Sequence, residues 1–139
     1  AGLCLYGNDI DKNTTPIEAN LMWAISKNRI DTEYPGSKII KKQIQSGVER
    51  IRVGIKPENR VIARGNTKIF NKDDIEIGKI TSGTFGPSVD HSIAMGYVNN
   101  QYSNLNTKLF LEVRGKKIPA SVCNLPFYKK NYVKGEINV

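Results

Sequence analysis

A change of hydrophobic period at Gly47 constrains the fold of this chain more than any other feature of its sequence. Across residues 37–46 the apolar side chains follow a helical spacing, and Gly47 stands where a glycine commonly ends a helix. Ile51, Val53 and Ile55 then alternate with charged residues or glycine, which is the period of a half-buried β-strand. We therefore predict one amphipathic helix followed by a β-rich unit.

The apolar segments after Gly47 are short and regularly spaced, and turn residues separate them. The predicted strands cover residues 51–55, 61–64, 68–70, 75–80, 93–98, 109–113 and 118–122. The last two form a hairpin, and Gly78 suggests a bulge or a close backbone approach. Because closure removes exposed sheet edges, we predict a mainly β (α+β) protein with a closed or nearly closed antiparallel β-barrel.

The segment before the helix has a clear start and an ambiguous continuation. Thr15 and Glu18 fit a capping box, and Pro16 suits the first position of a helical turn. The apolar residues between positions 17 and 25 fit helical spacing and strand alternation equally well. Trp23 lies in this stretch, and we expect it to pack in a core.

The charge pattern argues against some partners. The 139 residues carry 21 Lys and Arg against 13 Asp and Glu, a formal net charge of +8. These cations are spread along the whole chain, so we expect a solvated surface that can attract an acidic protein, and we do not expect nucleic-acid binding. No apolar run approaches the ~18–20 residues of a membrane helix, so no membrane partner is predicted.

The side chains that commonly carry chemistry are sparse and scattered. Cys4 and Cys123 lack metal-ligand spacing, so we predict two reduced, buried thiols, no metal site and a reducing compartment, the bacterial cytoplasm. His91, the only histidine, is expected in a polar surface loop. Asp9 and Glu18 are interpreted as turn, cap and packing-network residues rather than catalytic acids.

Blocks of residues along nearly the whole chain resemble one enzyme family. They are Ala1-Gly2-Leu3-Cys4-Leu5-Tyr6-Gly7, Thr14-Thr15-Pro16-Ile17-Glu18-Ala19, Tyr34-Pro35-Gly36, Val53-Gly54-Ile55, Thr81-Ser82-Gly83, Ile93-Ala94-Met95-Gly96-Tyr97-Val98, Glu112-Val113-Arg114-Gly115-Lys116 and Pro126-Phe127-Tyr128. In this order they resemble the C-terminal portion of the glycine cleavage T-proteins, the aminomethyltransferases. The opening run resembles an interior signature of that family, so we expect this chain to be one part of a larger folate enzyme.

The resemblance implies two units and a reaction. Residues 1–48 would be a short α/β remnant of the folate-binding core, with one helical turn followed by a strand near Trp23, and residues 49–139 the C-terminal barrel and tail. The family passes a one-carbon unit from the aminomethyl-lipoyl arm of H-protein to tetrahydrofolate and releases ammonia. Its catalytic aspartate lies upstream of the matched region, so the resemblance implies no catalytic residue in this chain and no turnover by it alone.

The resemblance also implies one binding residue and several partners. Asn131-Tyr132 matches a tail motif of the family, so Tyr132 is assigned as a substrate or folate contact. The expected partners are tetrahydrofolate, lipoylated H-protein and a separate N-terminal half of the enzyme. Two alternatives stay open: a non-catalytic barrel that docks such a half or an acidic lipoyl protein, and a folate-binding relative in RNA modification or iron–sulfur assembly.

Overall fold

Six antiparallel strands form a closed barrel in the computed structural model, which describes residues 1–30 and 32–129. The strands are β1 (Arg50–Pro57), β2 (Lys68–Phe70), β3 (Glu76–Gly86), β4 (His91–Asn99), β5 (Lys108–Val113) and β6 (Lys116–Cys123). Their order around the barrel is β1-β4-β3-β2-β5-β6, and β6 pairs with β1 to close it. The predicted closed antiparallel barrel is confirmed.

The barrel interior is a single apolar cluster, supplied by the strands and by Ala63 of the segment between β1 and β2. Its buried members are Val53, Ile55, Ala63, Ile69, Ile77, Ile80, Ala94, Val98, Leu109, Leu111, Ala120 and Val122. Each such branched side chain contributes roughly 1.5–3 kcal/mol when it leaves water, so this cluster is the main source of stability.

A tight turn at Arg114–Gly115 and a bulge beside Gly78 set the register of the strands, both at positions that the sequence predicts. Arg114 and Gly115 both have positive φ, which is the geometry of a two-residue hairpin turn between β5 and β6, and this hairpin is confirmed. Beside Gly78 the pairing of β3 with β2 shifts by one residue. A side chain on Gly78 would collide with the carbonyl of Tyr97, so the predicted bulge and close approach both occur there.

The predicted helix is confirmed as α1 (Ser37–Ser46). Gly47 follows it with φ of 78° and donates its N–H to the carbonyl of Gln43, which satisfies one of the free carbonyls of the last turn. No helix in the described residues has the length and apolarity needed to span a membrane.

Residues 1–24, hereafter the strap, lie across the outside of the barrel. The predicted capping box is present: Thr15 N–H donates to Glu18 Oε2, and Glu18 N–H donates to Thr15 Oγ1. The strand predicted near Trp23 is wrong, because Met22–Ala24 is a 3₁₀-helix and the closed barrel offers no free edge to pair with. Trp23 is 78% exposed, so its prediction as a core residue is also wrong.

The strand predicted at residues 61–64 is wrong as well. Residues 61–64, hereafter the crossing segment, are irregular and pack against β3. Just after them, the Asn66 N–H donates to the carbonyl of Ile80, and the Ile80 N–H donates to the carbonyl of Thr67. The carbonyl oxygen of Ala63 lies against Gly83, where a β-carbon would collide with it. This contact fixes where the segment packs along β3. Within residues 61–64, Ala63 is the buried side chain, whereas Val61 and Ile62 are partly exposed.

Candidate functional site

A polar network joins the strap to strands β3 and β4. Asp9 is buried and accepts hydrogen bonds from the Leu5 N–H and the Thr81 hydroxyl. The Tyr97 hydroxyl donates to the carbonyl of Asp9 over 2.8 Å, and burial raises the pKa of Tyr97 to about 12, which keeps it protonated as a donor. Asn8 donates to Thr81 from the same turn. Asp9 therefore acts as the predicted turn and packing-network residue.

Glu18 is a second anchor point of the strap. Its carboxylate accepts from the Thr15 N–H and forms an ion pair with Arg50 Nε at 3.1 Å. Burial opposes ionisation of this carboxyl, but the hydrogen bond from Thr15 and the Arg50 guanidinium together hold the pKa of Glu18 below its ordinary value. Glu18 is thus a charged structural cap, as the sequence predicts.

A cleft of about 480 Å³ lies between the strap and the barrel, hereafter the strap cleft. Leu3, Ile93, Met95 and Phe127 give it an apolar wall. Its polar groups are Asn8, Arg64, Thr81, Ser82 and Thr84. None of its described lining residues is an Asp, a Glu or a His, so these residues can bind a ligand but offer no side chain suited to move a proton at neutral pH.

Five large apolar side chains of the strap face solvent. They are Leu3, Leu5, Tyr6, Met22 and Trp23, and Tyr6 is 72% exposed. Several large apolar side chains exposed within one short segment are a feature of surfaces that another polypeptide covers.

A basic cleft of about 690 Å³ lies between the crossing segment and the β5–β6 hairpin. Its charged lining residues among those described are Arg60, Arg64, Arg114 and Lys116 against the single carboxylate of Glu112. Arg60 pairs with Asp90 at 3.0 Å at the surface and lies over the ring of Phe85. Asp90 offsets the charge of Arg60, so Arg64, Arg114 and Lys116 against Glu112 leave this cleft with a net positive charge that can attract an acidic partner.

The remaining predicted residues have separate positions. Tyr132 lies outside the described residues, so its assignment stays a prediction. His91 opens strand β4 instead of standing in a loop, and its Nδ1 lies 2.8 Å from the carbonyl of Ser92. Cys4 and Cys123 are free and only half-buried, which corrects the prediction of buried thiols. Burial raises the pKa of Cys123 to about 11 and also raises the pKa of Cys4.

Sequence reasoning missed Arg52. Its position in the alternating pattern of β1 predicts a solvent-facing side chain, yet Arg52 is 3% exposed because the strap covers it. No signal in the sequence distinguishes it from Arg50, which lies two residues earlier and is exposed.

Three comparisons with known proteins agree with this architecture. Residues 50–129 match the family model described as the glycine cleavage T-protein C-terminal barrel domain. The mitochondrial aminomethyltransferase of Homo sapiens is 44% identical over 133 residues, which are 95% of this chain and 33% of that protein. The aminomethyltransferase of Flavobacterium psychrophilum is 39% identical over 129 residues, 93% of this chain and 35% of that protein.

A crystal structure of glycine cleavage system aminomethyltransferase T from Bartonella henselae has the same fold, with a TM-score of 0.90 and 47% identity. The match covers 96% of this chain and 37% of that one. The chain thus spans about a third of the length of the curated relatives it matches. The family match covers more than half of the chain, and it includes all six strands; the chain belongs to the glycine cleavage T-protein C-terminal barrel domain family.

Proposed function

We propose that this chain is the C-terminal part of an aminomethyltransferase, which transfers a one-carbon unit from aminomethyl-lipoyl H-protein to tetrahydrofolate and releases ammonia. The chain provides one wall of the folate site and does not turn over alone. The observation that carries this proposal is the strap cleft. Its described lining offers apolar groups, neutral polar groups and Arg64 to a ligand, but no carboxylate side chain. The acid–base chemistry is assigned to the polypeptide upstream.

The strap cleft fits part of a folate in size and chemistry. Ligand sites commonly occupy ~300–1,000 Å³ and combine an apolar lining with a few polar groups, as this cleft does at about 480 Å³. Phe127 and Met95 can pack on a flat heterocycle, and Arg64 can pair with a carboxylate of the ligand. Bound tetrahydrofolate supplies the acceptor nitrogens for the one-carbon unit.

Tyr132 is proposed to complete this cleft from the C-terminal tail. Phe127 lines the cleft and stands only five residues before Tyr132 in the sequence, which supports this assignment. A phenol can stack on the ligand and donate one hydrogen bond. In an assembled enzyme, Tyr132→Phe should weaken folate binding while Tyr128→Phe should not, and equal affinities would remove Tyr132 from the site.

The upstream polypeptide is proposed to cover the exposed apolar side chains of the strap. Relatives of this chain are about three times as long, and the matched family model is their C-terminal barrel, so the additional length lies upstream in them. We accordingly propose that residues 1–48 belong to the folate-binding unit and residues 49–139 form the barrel unit. The concentration of buried apolar residues from Val53 onward supports this boundary.

The basic cleft is proposed as the docking site of the acidic lipoyl partner. Opposite charges accelerate encounter and fix orientation, and the net positive charge that Arg64, Arg114 and Lys116 give this cleft suits such a surface. We also propose the bacterial cytoplasm as the compartment, on the basis of the two free thiols and the bacterial relatives. Immunodetection in fractions of the source cell tests the compartment.

The decisive experiment compares the chain alone with an assembled enzyme. The chain is mixed with tetrahydrofolate and aminomethyl-loaded lipoyl protein, and ammonia release is measured. A chimera that joins the N-terminal two-thirds of the Bartonella henselae relative to this chain is measured in parallel. We expect turnover only from the chimera. Turnover of the isolated chain at the chimera's rate would refute the proposal, and so would an inactive chimera that is fully folded.

A further inference from the structure

The strap is held to the barrel by hydrogen bonds rather than by a core of its own. Among the described residues 1–24, Ala19 is the single buried apolar side chain, whereas the barrel buries twelve in one cluster. Apolar burial is the dominant stabilising term in folding, so the strap must depend on its polar contacts to stay in place.

One guanidinium contacts both ends of the strap, in addition to the hydrogen bonds that join Asn8 and Asp9 to β3 and β4. Arg52 Nε donates to the carbonyl of Ala19 at 2.8 Å, and Nη1 donates to the carbonyl of Gly2 at 3.1 Å. Nη1 also lies 3.1 Å from Met95 Sδ on β4, and the Arg52 N–H donates to the carbonyl of Glu18. Residues 2 and 19 are therefore fastened to one point of the barrel by one side chain.

The chemistry of this contact favours arginine specifically. In the part of the chain that the structure describes, no carboxylate forms an ion pair with Arg52, so backbone carbonyls solvate a buried charge. A guanidinium is a planar fork whose donors diverge at fixed angles, and it can serve two carbonyls at once. A lysine ammonium is a single point of charge at the end of a flexible chain and cannot hold both with the same geometry.

We infer that Arg52 is the positioning residue that fastens the strap to the barrel, and that the strap detaches as a unit, with the barrel intact, when Arg52 is replaced. Because the strap carries Leu3, Tyr6 and Trp23, Arg52 also sets the surface that receives the upstream polypeptide. This second consequence rests on the proposed function.

The test is native-state hydrogen exchange of the full chain, read by mass spectrometry. Arg52→Met keeps an unbranched stem as far as the position of Nε and removes the guanidinium with all its donors. Hydrogen bonds to charged groups contribute more to stability than neutral ones do, so their loss should favour opening of the strap. We expect amides of residues 2–20 to exchange at least about tenfold faster. Amides of β3 and β5 should change by less than about twofold. Unchanged strap exchange, or equal acceleration throughout the barrel, would overturn the inference.

Two further variants make the result specific. Lys56→Met is the matched control, because Lys56 lies in the same strand and its side chain faces solvent, so we expect less than about twofold acceleration. Arg52→Lys keeps the charge and should give strap exchange between wild type and Arg52→Met. If Arg52→Met does not fold, Arg52→Lys decides: exchange equal to wild type shows that the fork is not required and overturns the inference.

A binding measurement separates this inference from the proposed function. The N-terminal two-thirds of the Bartonella henselae relative, immobilised, is exposed to wild-type chain and to Arg52→Lys. Weaker capture of Arg52→Lys supports the positioning role. If wild type itself is not captured, the proposed docking surface fails, whereas the exchange experiment still tests Arg52. Equal capture of both chains contradicts the claim that Arg52 sets the docking surface.

Discussion

Gly83 on β3 faces the carbonyl oxygen of Ala63 so closely that a β-carbon at position 83 would overlap it. The contact holds the crossing segment against β3. It joins two backbones, which cannot move aside as easily as flexible side chains can. We predict that Gly83→Ala destabilises the chain at the upper end of the ~1–3 kcal/mol typical of overpacking, measured by urea unfolding.

A second glycine separates this collision from backbone strain. Gly115 has φ of 73° and open space around it, so Gly115→Ala tests left-handed strain alone and should cost about 1 kcal/mol. Gly83→Ala that is no more destabilised than Gly115→Ala would show that the segment simply moves away.

The close contact at Gly83 also explains where prediction from sequence succeeds and fails. Local patterns determine α1, the β5–β6 hairpin and the strand that contains Ile51, so period and turn chemistry predict them. The segment 61–64 has the same apolar character, but a distant glycine lets it pack against β3, and no local pattern reports that. Arg52 is likewise buried by the strap, whose residues are distant from it in the sequence.

The functional surfaces show the same division. The Thr81-Ser82-Gly83 block is recognisable in the sequence, but the strap cleft also needs Leu3 and Phe127, which lie far apart along the chain. Trp23 is a residue type that commonly packs in cores, yet it lies exposed here. Its burial would need neighbours that the described residues do not supply.

Leu111 reports the contribution of the barrel core. It is fully buried at the centre of the apolar cluster, so Leu111→Ala removes methyl groups and leaves a cavity. We predict a loss of about 2–5 kcal/mol in the free energy of unfolding. Leu105→Ala, at a side chain that is 52% exposed, should stay within about 0.5 kcal/mol of wild type. Similar losses in the two variants would contradict this assignment of the core.

Glu18 should make the stability of the chain depend on pH. Its pKa is lower in the folded chain than in the unfolded one, so its contribution is complete above the ordinary glutamate pKa. That contribution is lost as the pH falls through the lowered value. Glu18→Gln keeps the hydrogen bond from Thr15 but not the charge, so between pH 7 and pH 3 it should lose less stability than wild type. Parallel pH profiles of the two chains would rule this out.

Cys123 should be a slow nucleophile in the folded chain. Burial raises its pKa to about 11, so at pH 8 its thiolate fraction is roughly two orders of magnitude below that of an ordinary thiol. Iodoacetamide labelling followed by mass spectrometry should be correspondingly slow at Cys123 and should accelerate as the pH approaches 11. The urea-unfolded chain provides the reference rate, and labelling of folded Cys123 at that rate would contradict the burial.

Lys116 tests the basic cleft as the docking surface for an acidic lipoyl protein. Lys116→Glu reverses one of its four cations, and Lys38→Glu makes the same change in net charge on helix α1, away from the cleft. Because charges near the contact steer association while distant ones are screened, the rate of association with lipoyl protein should fall about threefold to tenfold for Lys116→Glu only. The difference should shrink near 1 M salt, where the screening length is ~3 Å. Equal rates for the two variants at low salt would mean that attraction depends on net charge and that the cleft has no special role.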